Sequence, residues 1–138
     1  MQSNKLILDK LRLSGLRATQ PRLKIANILF EKNKTFHFSI SELASLINKR
    51  YGNTVALATV YNTVHAFKDH GFLKEIAINT EHSYFDTNTT NHHHFYDVDK
   101  DELSDIENND VSPIKIKKTI PGKKIKSIEV LVKVSSEN

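Results

Sequence analysis

The sequence holds no cysteine among its 138 residues. Disulfides, thiolate zinc sites, iron–sulfur clusters and cysteine nucleophiles are excluded together. Tryptophan is absent as well, whereas seven histidines are present, so a transition metal would have to be held by imidazole and carboxylate. No apolar run approaches the ~20 residues of a membrane span, and Met1-Gln2-Ser3-Asn4-Lys5 carries no signal-peptide core. The expectation is a cytoplasmic protein with no membrane partner. Charged residues make up 26% and apolar ones 38%, near the soluble globular average, which argues against wholesale disorder. The length suits one ordinary domain or two small ones.

The net charge of +4 is unevenly spread. Residues 1–80 hold twelve Lys/Arg against five Asp/Glu, 12 − 5 = +7, and residues 81–138 hold eight against eleven, 8 − 11 = −3. A basic first half and an acidic, histidine-bearing second half are compatible with an anionic partner, then a cation, but a split of this size also arises by chance.

The first half reads helical. Leu6, Ile7, Leu8, Leu11 and Leu13 form a short apolar stripe closed by Ser14-Gly15. Thr19-Gln20-Pro21 opens a second helix, with proline in the first turn, where a missing N–H costs nothing. Leu23, Ile25, Ala26, Leu29 and Phe30 supply its core face. Ser39-Ile40-Ser41-Glu42 is a capping box, predicting a third helix over 40–50 that buries Leu43, Leu46 and Ile47. A fourth helix is expected over 58–70 with Gly71 as its left-handed terminator and Val60, Val64 and Phe67 on its inner face. Two strands, 72–78 and 82–86, follow around Asn79-Thr80-Glu81. Helices followed by a β-hairpin are the order of a winged helix-turn-helix, whose last helix enters a major groove.

Beyond Asp86 the pattern changes. Thr87 to Asn91 is a polar hinge, and 94–98 and 103–106 are short strands around the acidic turn Asp99-Lys100-Asp101-Glu102. Residues 108–124 read as loop, and a last strand runs through Ile125, Ile128, Val130, Val132 and Val134. So small a set of strands buries too little to stand alone; pairing with a second chain, a metal, or both would remedy that. The expected architecture is α+β: a winged helix-turn-helix over 1–86, a hinge over 87–91 and a small α/β domain over 92–138, the last read, with the family resemblance given below, as a dimerisation and metal-sensing domain.

Two segments carry chemistry. In His92-His93-His94 a strand would put His92 and His94 on one face and His93 on the other. Asp86 upstream and Asp105 on the neighbouring strand could complete a site for Fe²⁺, Mn²⁺ or Zn²⁺. A solvated histidine run is the alternative. Ala56-Leu57-Ala58-Thr59-Val60-Tyr61-Asn62-Thr63-Val64 is the candidate recognition helix: small residues allow close approach to bases, and Tyr61 can meet a thymine methyl. The alternative is an ordinary amphipathic helix. Arg17 and Arg22, flanking Pro21, can neutralise phosphates. His65, His70 and His82 fit no site, and His65 and His70 are expected to be exposed.

Taken together, Gly15-Leu16-Arg17-Ala18-Thr19-Gln20-Pro21-Arg22, Ala58-Thr59-Val60-Tyr61, and Asp86 ahead of His92-x-His94 closely resemble the ferric uptake regulator family. The resemblance covers about residues 6–110. Within it, Thr59-Val60-Tyr61-Asn62-Thr63, Tyr84-Phe85-Asp86-Thr87-Asn88 and His92-His93-His94-Phe95-Tyr96 look most like the iron response regulator (Irr) branch. The resemblance implies a regulatory metal site on His37, Asp86, His92, His94 and Asp105, with one ion clamping the two domains. The family's structural zinc site, built from two cysteine pairs, is lost here, since Asp97 and Lys100 stand where the first pair would be. A further family site would use His93, but its other ligands are replaced by Phe95 and Lys126. The Irr branch associates the triplet His92, His93 and His94 with haem, on which Phe95 and Tyr96 could pack.

The function so implied is a homodimeric transcription factor of iron homeostasis, responding to a divalent metal, haem or both. It would read an AT-rich palindromic operator in double-stranded DNA. Arg17 would reach the minor groove or phosphates, Arg22 phosphates, Tyr61 bases, and Thr59 and Asn62 bases or backbone. Asn62 stands where many family members carry arginine. An enzyme is not expected, because no general base stands outside the ligands. The competing readings are a metalloenzyme or a metal-buffering protein built on the same His/Asp cluster.

Overall fold

The computed structural model describes residues 4–31 and 34–137; most of the N-terminal segment bearing on a signal peptide, Met1–Ser3, lies outside them. The chain divides into two units, residues 1–89 and 90–138.

The first unit begins with α1 (Asn4–Leu13) and α2 (Gln20–Phe30). Gly15 ends α1 at φ 90°, where its N–H donates to Arg12 and that of Leu16 to Leu11. This paired closure satisfies the last carbonyls and needs a residue tolerant of positive φ. Of the expected α1 stripe, Ile7 and Leu11 are buried, but Leu13 is 89% exposed; a stripe of adjacent leucines wraps too far around a helix to be covered on every side. Thr19 caps α2 through its hydroxyl, which accepts from the Arg22 N–H at 3.4 Å, and Ile25, Ala26 and Leu29 turn inward.

A two-residue strand β1 (His37–Phe38) precedes α3 (Ile40–Tyr51). Ser39 caps α3, its hydroxyl accepting from the Glu42 N–H at 3.2 Å. Leu43 and Ile47 are buried as the spacing requires, but Leu46 is 40% exposed, one position off the inward face. α4 (Leu57–Asp69) buries Val60, Thr63, Val64 and Phe67. Gly71 closes it at φ 81°, and Phe72 folds back so that its N–H donates to Phe67 and its ring lies 6.1 Å from that of Phe67. β2 (Lys74–Ala77) and β3 (Ser83–Asp86) complete a sheet ordered β1-β3-β2, antiparallel throughout. Four helices around one apolar cluster, flanked by a small sheet, make this unit a winged helix-turn-helix.

The second unit is β4 (His93–Asp97), β5 (Glu102–Ile106) and β6 (Leu131–Val134), ordered β5-β4-β6. β4 pairs antiparallel with β5 and parallel with β6. Its helical part is one 3-10 turn, Asn108–Asp110. The last strand is shorter than its alternation implies: Ile125 and Ile128 precede it in irregular chain, and among the described residues no strand pairs with them.

The core sets the stability of the first unit. Phe67 is fully buried, so Phe67→Ala removes a whole ring and is expected to cost about 3–5 kcal/mol. Ser39→Ala removes only a cap and is expected to cost about 1 kcal/mol. Urea unfolding followed by helical circular dichroism checks the ranking.

Candidate metal centre and DNA-reading surface

Because Val60, Val64 and Phe67 point inward, α4 presents Tyr61 and Asn62 to solvent, with Tyr61 52% exposed and Thr59 half-buried beside them. The ring of Tyr61 lies 4.3 Å from that of His65, one turn on, and His65 meets the edge of Phe85 at 5.5 Å. His65 is thus half-buried between helix and strand, not exposed; its i, i+4 position under Tyr61 was readable from spacing, but the approach of Phe85 was not. His70 is exposed as expected, its Nδ1–H donating to the Ala66 carbonyl.

A cleft of about 310 Å³ opens between the start of α3, α4 and the β2–β3 wing, lined by Ser41, Tyr61, His65, Glu75 and His82 among others. Glu75 ties the wing to α4: its carboxylate accepts from Lys68 Nζ at 3.2 Å and from Ser83 Oγ at 2.7 Å. Burial alone would raise the Glu75 carboxyl, but the hydrogen bonds from Ser83 and Lys68 and the charges of Lys68 and His65 outweigh it and hold it below its ordinary value of 4.5. Arg17 is exposed, while Arg22 is half-buried, and Arg22 Nη1 donates to the Arg17 carbonyl at 2.9 Å. Arg22 therefore braces the loop that presents Arg17.

In the same unit the sheet register sets His37 opposite Asp86 and Phe38 opposite Phe85. Asp86 is 1% exposed, and its Oδ1 accepts from the Asn88 N–H at 2.8 Å. On its other side the register partner is Lys74, whose ammonium is pulled below its ordinary range by burial against the opposing attraction of Asp86. A buried carboxylate needs such cationic or donor neighbours. β1, which carries His37, is only two residues long and had no detectable periodicity in the sequence. Thr87 fastens it: Phe36 N–H donates to Thr87 Oγ1 at 3.0 Å and Thr87 N–H to the Phe36 carbonyl at 3.1 Å.

In the second unit the register sets His94 opposite Asp105. His92 and His94 are buried, their rings 4.3 Å apart. Asp105 Oδ1 lies 3.3 Å from His92 Nε2 and 3.2 Å from His94 Nε2. One ligand atom from each of the three falls within 4.8 Å of the others. His92 Nδ1–H donates to the Thr90 carbonyl at 2.7 Å, so in the neutral ring the lone pair sits on Nε2, facing Asp105. A backbone carbonyl fixing the remote nitrogen is the usual support for a metal-bound imidazole. Two imidazoles and a carboxylate are a donor set that suits Mn²⁺, Fe²⁺ or Zn²⁺.

His93 does something else. Its Nδ1 accepts from the Val130 N–H at 2.9 Å, while His94 N–H donates to the Val130 carbonyl at 3.1 Å. His93 thereby pins the start of β6 against β4. Phe95 is exposed and Tyr96 buried, the Tyr96 hydroxyl donating to Asp101 at 2.8 Å.

A model of the Ferric uptake regulator family matches residues 13–134. The chain belongs to that family. Over 84 residues it is 34% identical to the peroxide-responsive repressor PerR of Staphylococcus epidermidis, an alignment covering 61% of this chain and 54% of that protein. The chain thus spans about half the length of this curated relative. The ferric uptake regulator of Vibrio cholerae superposes with a TM-score of 0.70 at 21% identity, covering 94% of this chain and 98% of that one. That of Pseudomonas aeruginosa, solved with manganese, gives 0.66 at 21% identity, covering 94% and 97%. At such identities these structures establish the α+β fold. The family consists of regulators, not catalysts. Among the described residues no helix is long and apolar enough to cross a membrane.

Two outcomes check these assignments. The Glu75 carboxyl titrates lower folded than unfolded, so its stabilisation is present above about pH 4.5 and is lost as the pH falls through the folded value. Glu75→Gln is expected to flatten that acid limb of the pH–stability curve, read by thermal melts between pH 3 and 7. His94→Ala and Asp105→Ala are expected to weaken Mn²⁺ binding by more than the roughly 10–100-fold lost with an outer partner. His93→Ala should leave it within a few-fold; calorimetric titration separates the two.

Proposed function

We propose that this chain is a metal-responsive, DNA-binding transcriptional regulator that works as a homodimer. The observation that carries the reading is the grouping of His92, His94 and Asp105, with the tautomer of His92 set by Thr90. Their chemistry fits a divalent ion, and His37 and Asp86, register partners in the first unit, are the other two ligands by family resemblance. The ion would supply a charge that neutralises the carboxylates and a bond set that no hydrogen bond replaces. The domains are assigned as 1–86 for DNA reading, 87–91 as hinge and 92–138 for dimerisation and sensing.

The DNA-reading residues are Arg17, Arg22, Thr59, Tyr61 and Asn62, and Arg22 also holds Arg17 in place. Two winged helices related by a two-fold axis suit a palindromic operator, AT-rich where Arg17 enters the minor groove. An ion that binds one domain arrangement more tightly shifts the population toward it and changes operator affinity by that differential. Iron homeostasis is the physiological setting suggested by the family and by the Irr-like segments around Tyr61, Asp86 and His93. Fe²⁺ or Mn²⁺ is the working ion where zinc is scarce, since zinc competes more strongly for imidazole.

One observation favours a second effector: the relative aligned over 84 residues is a peroxide-responsive repressor. Haem has less support, because His93 already accepts from Val130 and the rings of His92 and His94 converge on Asp105. Neither a metalloenzyme nor a buffer explains why the α4 surface is left exposed beside a wing.

Fluorescence anisotropy on an AT-rich palindrome tests the proposal. Mn²⁺ is expected to change affinity at least 10-fold, and Tyr61→Ala to weaken it about 10–100-fold, the worth of a base contact of roughly 1–3 kcal/mol. Peroxide acting only on the Fe²⁺-loaded protein would select the second effector. A folded dimer that binds no duplex in any metal state would refute the reading.

A further inference from the structure

The second unit is strongly segregated in charge. Residues 97–110 hold seven acids (Asp97, Asp99, Asp101, Glu102, Asp105, Glu107, Asp110) and one lysine, whereas residues 111–128 hold six lysines and no acid. The six lie in two mirrored stretches, Lys115-Ile116-Lys117-Lys118 and Lys123-Lys124-Ile125-Lys126, on either side of Thr119-Ile120-Pro121-Gly122. The centre is a tight turn: Gly122 sits at φ 77° and the Lys123 N–H donates to the Ile120 carbonyl at 3.0 Å. Proline then glycine at these two positions is what a type II turn requires. The turn folds the segment back, giving two short limbs with three lysines each. All six lysines are exposed, the limbs have no ladder of their own, and among the described residues none of the six ammonium groups forms an ion pair or hydrogen bond.

Such a density of like charge is unfavourable for the isolated fold and is stabilised by a polyanion. We infer that this two-limbed lysine loop is a second DNA contact, gripping phosphates of the duplex without reading sequence. Duplex DNA offers one negative charge per ~1.7 Å of axis, and each lysine that neutralises a phosphate releases a counterion. An anionic lipid surface is the other polyanion. It is disfavoured because residues 111–130 contain no aromatic side chain, the usual anchor of an interfacial segment. The inference rests on the DNA-binding reading above but not on its sequence specificity.

The test uses the full chain, Mn²⁺-loaded, as wild type, with all six lysines changed to glutamine, and with all six changed to arginine. Anisotropy is measured on the palindrome and on a scrambled duplex from 50 to 300 mM salt. In the glutamine variant the salt slope is expected to fall by about 0.9 for each lost phosphate contact, two or more units in all. Affinity should fall by the same factor on both duplexes, and arginine should restore both. An unchanged slope overturns the inference, as does a glutamine variant that sediments as a monomer. Tighter wild-type binding to vesicles containing phosphatidylserine than to either duplex at equal salt overturns it as well. A wild type that cannot tell palindrome from scramble, yet loses slope in the glutamine variant, defeats the operator reading and leaves the lysine loop standing.

Discussion

The first unit depends on how β3 pairs with its two neighbours. One register places four residues at once: Ser83 within reach of Glu75, Phe85 against Phe38, Asp86 opposite His37, and Thr87 clipped to Phe36. From β3 the contacts run outward in two directions. Glu75 reaches Lys68 and Phe85 reaches His65, both on α4, and His65 stacks beneath Tyr61. A shift of one residue would turn Phe85 out of the core and Asp86 away from His37. The proposed DNA-reading tyrosine and two proposed metal ligands thus hang on a single four-residue strand.

The second unit meets a different constraint. It has few buried apolar side chains, chiefly Tyr96, Leu103 and Ile106, while Ile114, Ile116, Ile120 and Ile125 remain exposed. A unit this small cannot gain enough from burial to offset ordering its chain. The lost cysteine positions remove the usual alternative, a thiolate-bound zinc. What remains within one chain is polar: His93 pinning Val130, Asp99 accepting from the Ser136 N–H at 2.6 Å, and Tyr96 on Asp101. The Ser136 bond holds Asp99 below its ordinary range and thereby fastens the end of β6. Polar ties of this kind orient strands well but contribute little net stability, which is the physical case for a partner chain on this unit.

Helices were the most legible part of the sequence, because caps and terminators are local. Thr19, Ser39, Gly15 and Gly71 each act within four residues of themselves, and each stands where its residue type led one to look. The alternation of His92 and His94 was legible for the same reason. What could not be read was decided by contacts far along the chain. β1 exists only because Phe36, His37 and Phe38 meet a strand some fifty residues later, and His65 is half-buried only because Phe85 reaches it. Arg22 also ties to the Arg17 carbonyl five residues back, a contact that composition does not show. The overextended reading of β6 has the same origin: alternation shows which side chains could line a strand, not whether a neighbour is present.

The histidine triplet shows how neighbouring residues of one type are given different work by geometry. Strand alternation sends His92 and His94 toward Asp105 and His93 toward β6. Hydrogen bonds then fix opposite tautomers in the neutral rings: His92 donates from Nδ1, whereas His93 accepts there. An ion held by Nε2 of His92 would also bear, through the ring, on the Thr90 carbonyl, and Thr90 is the first residue of the second unit. In the proposed function, ion occupancy and operator affinity are linked. Such linkage is reciprocal: DNA must change the affinity for the ion by the same factor by which the ion changes the affinity for DNA.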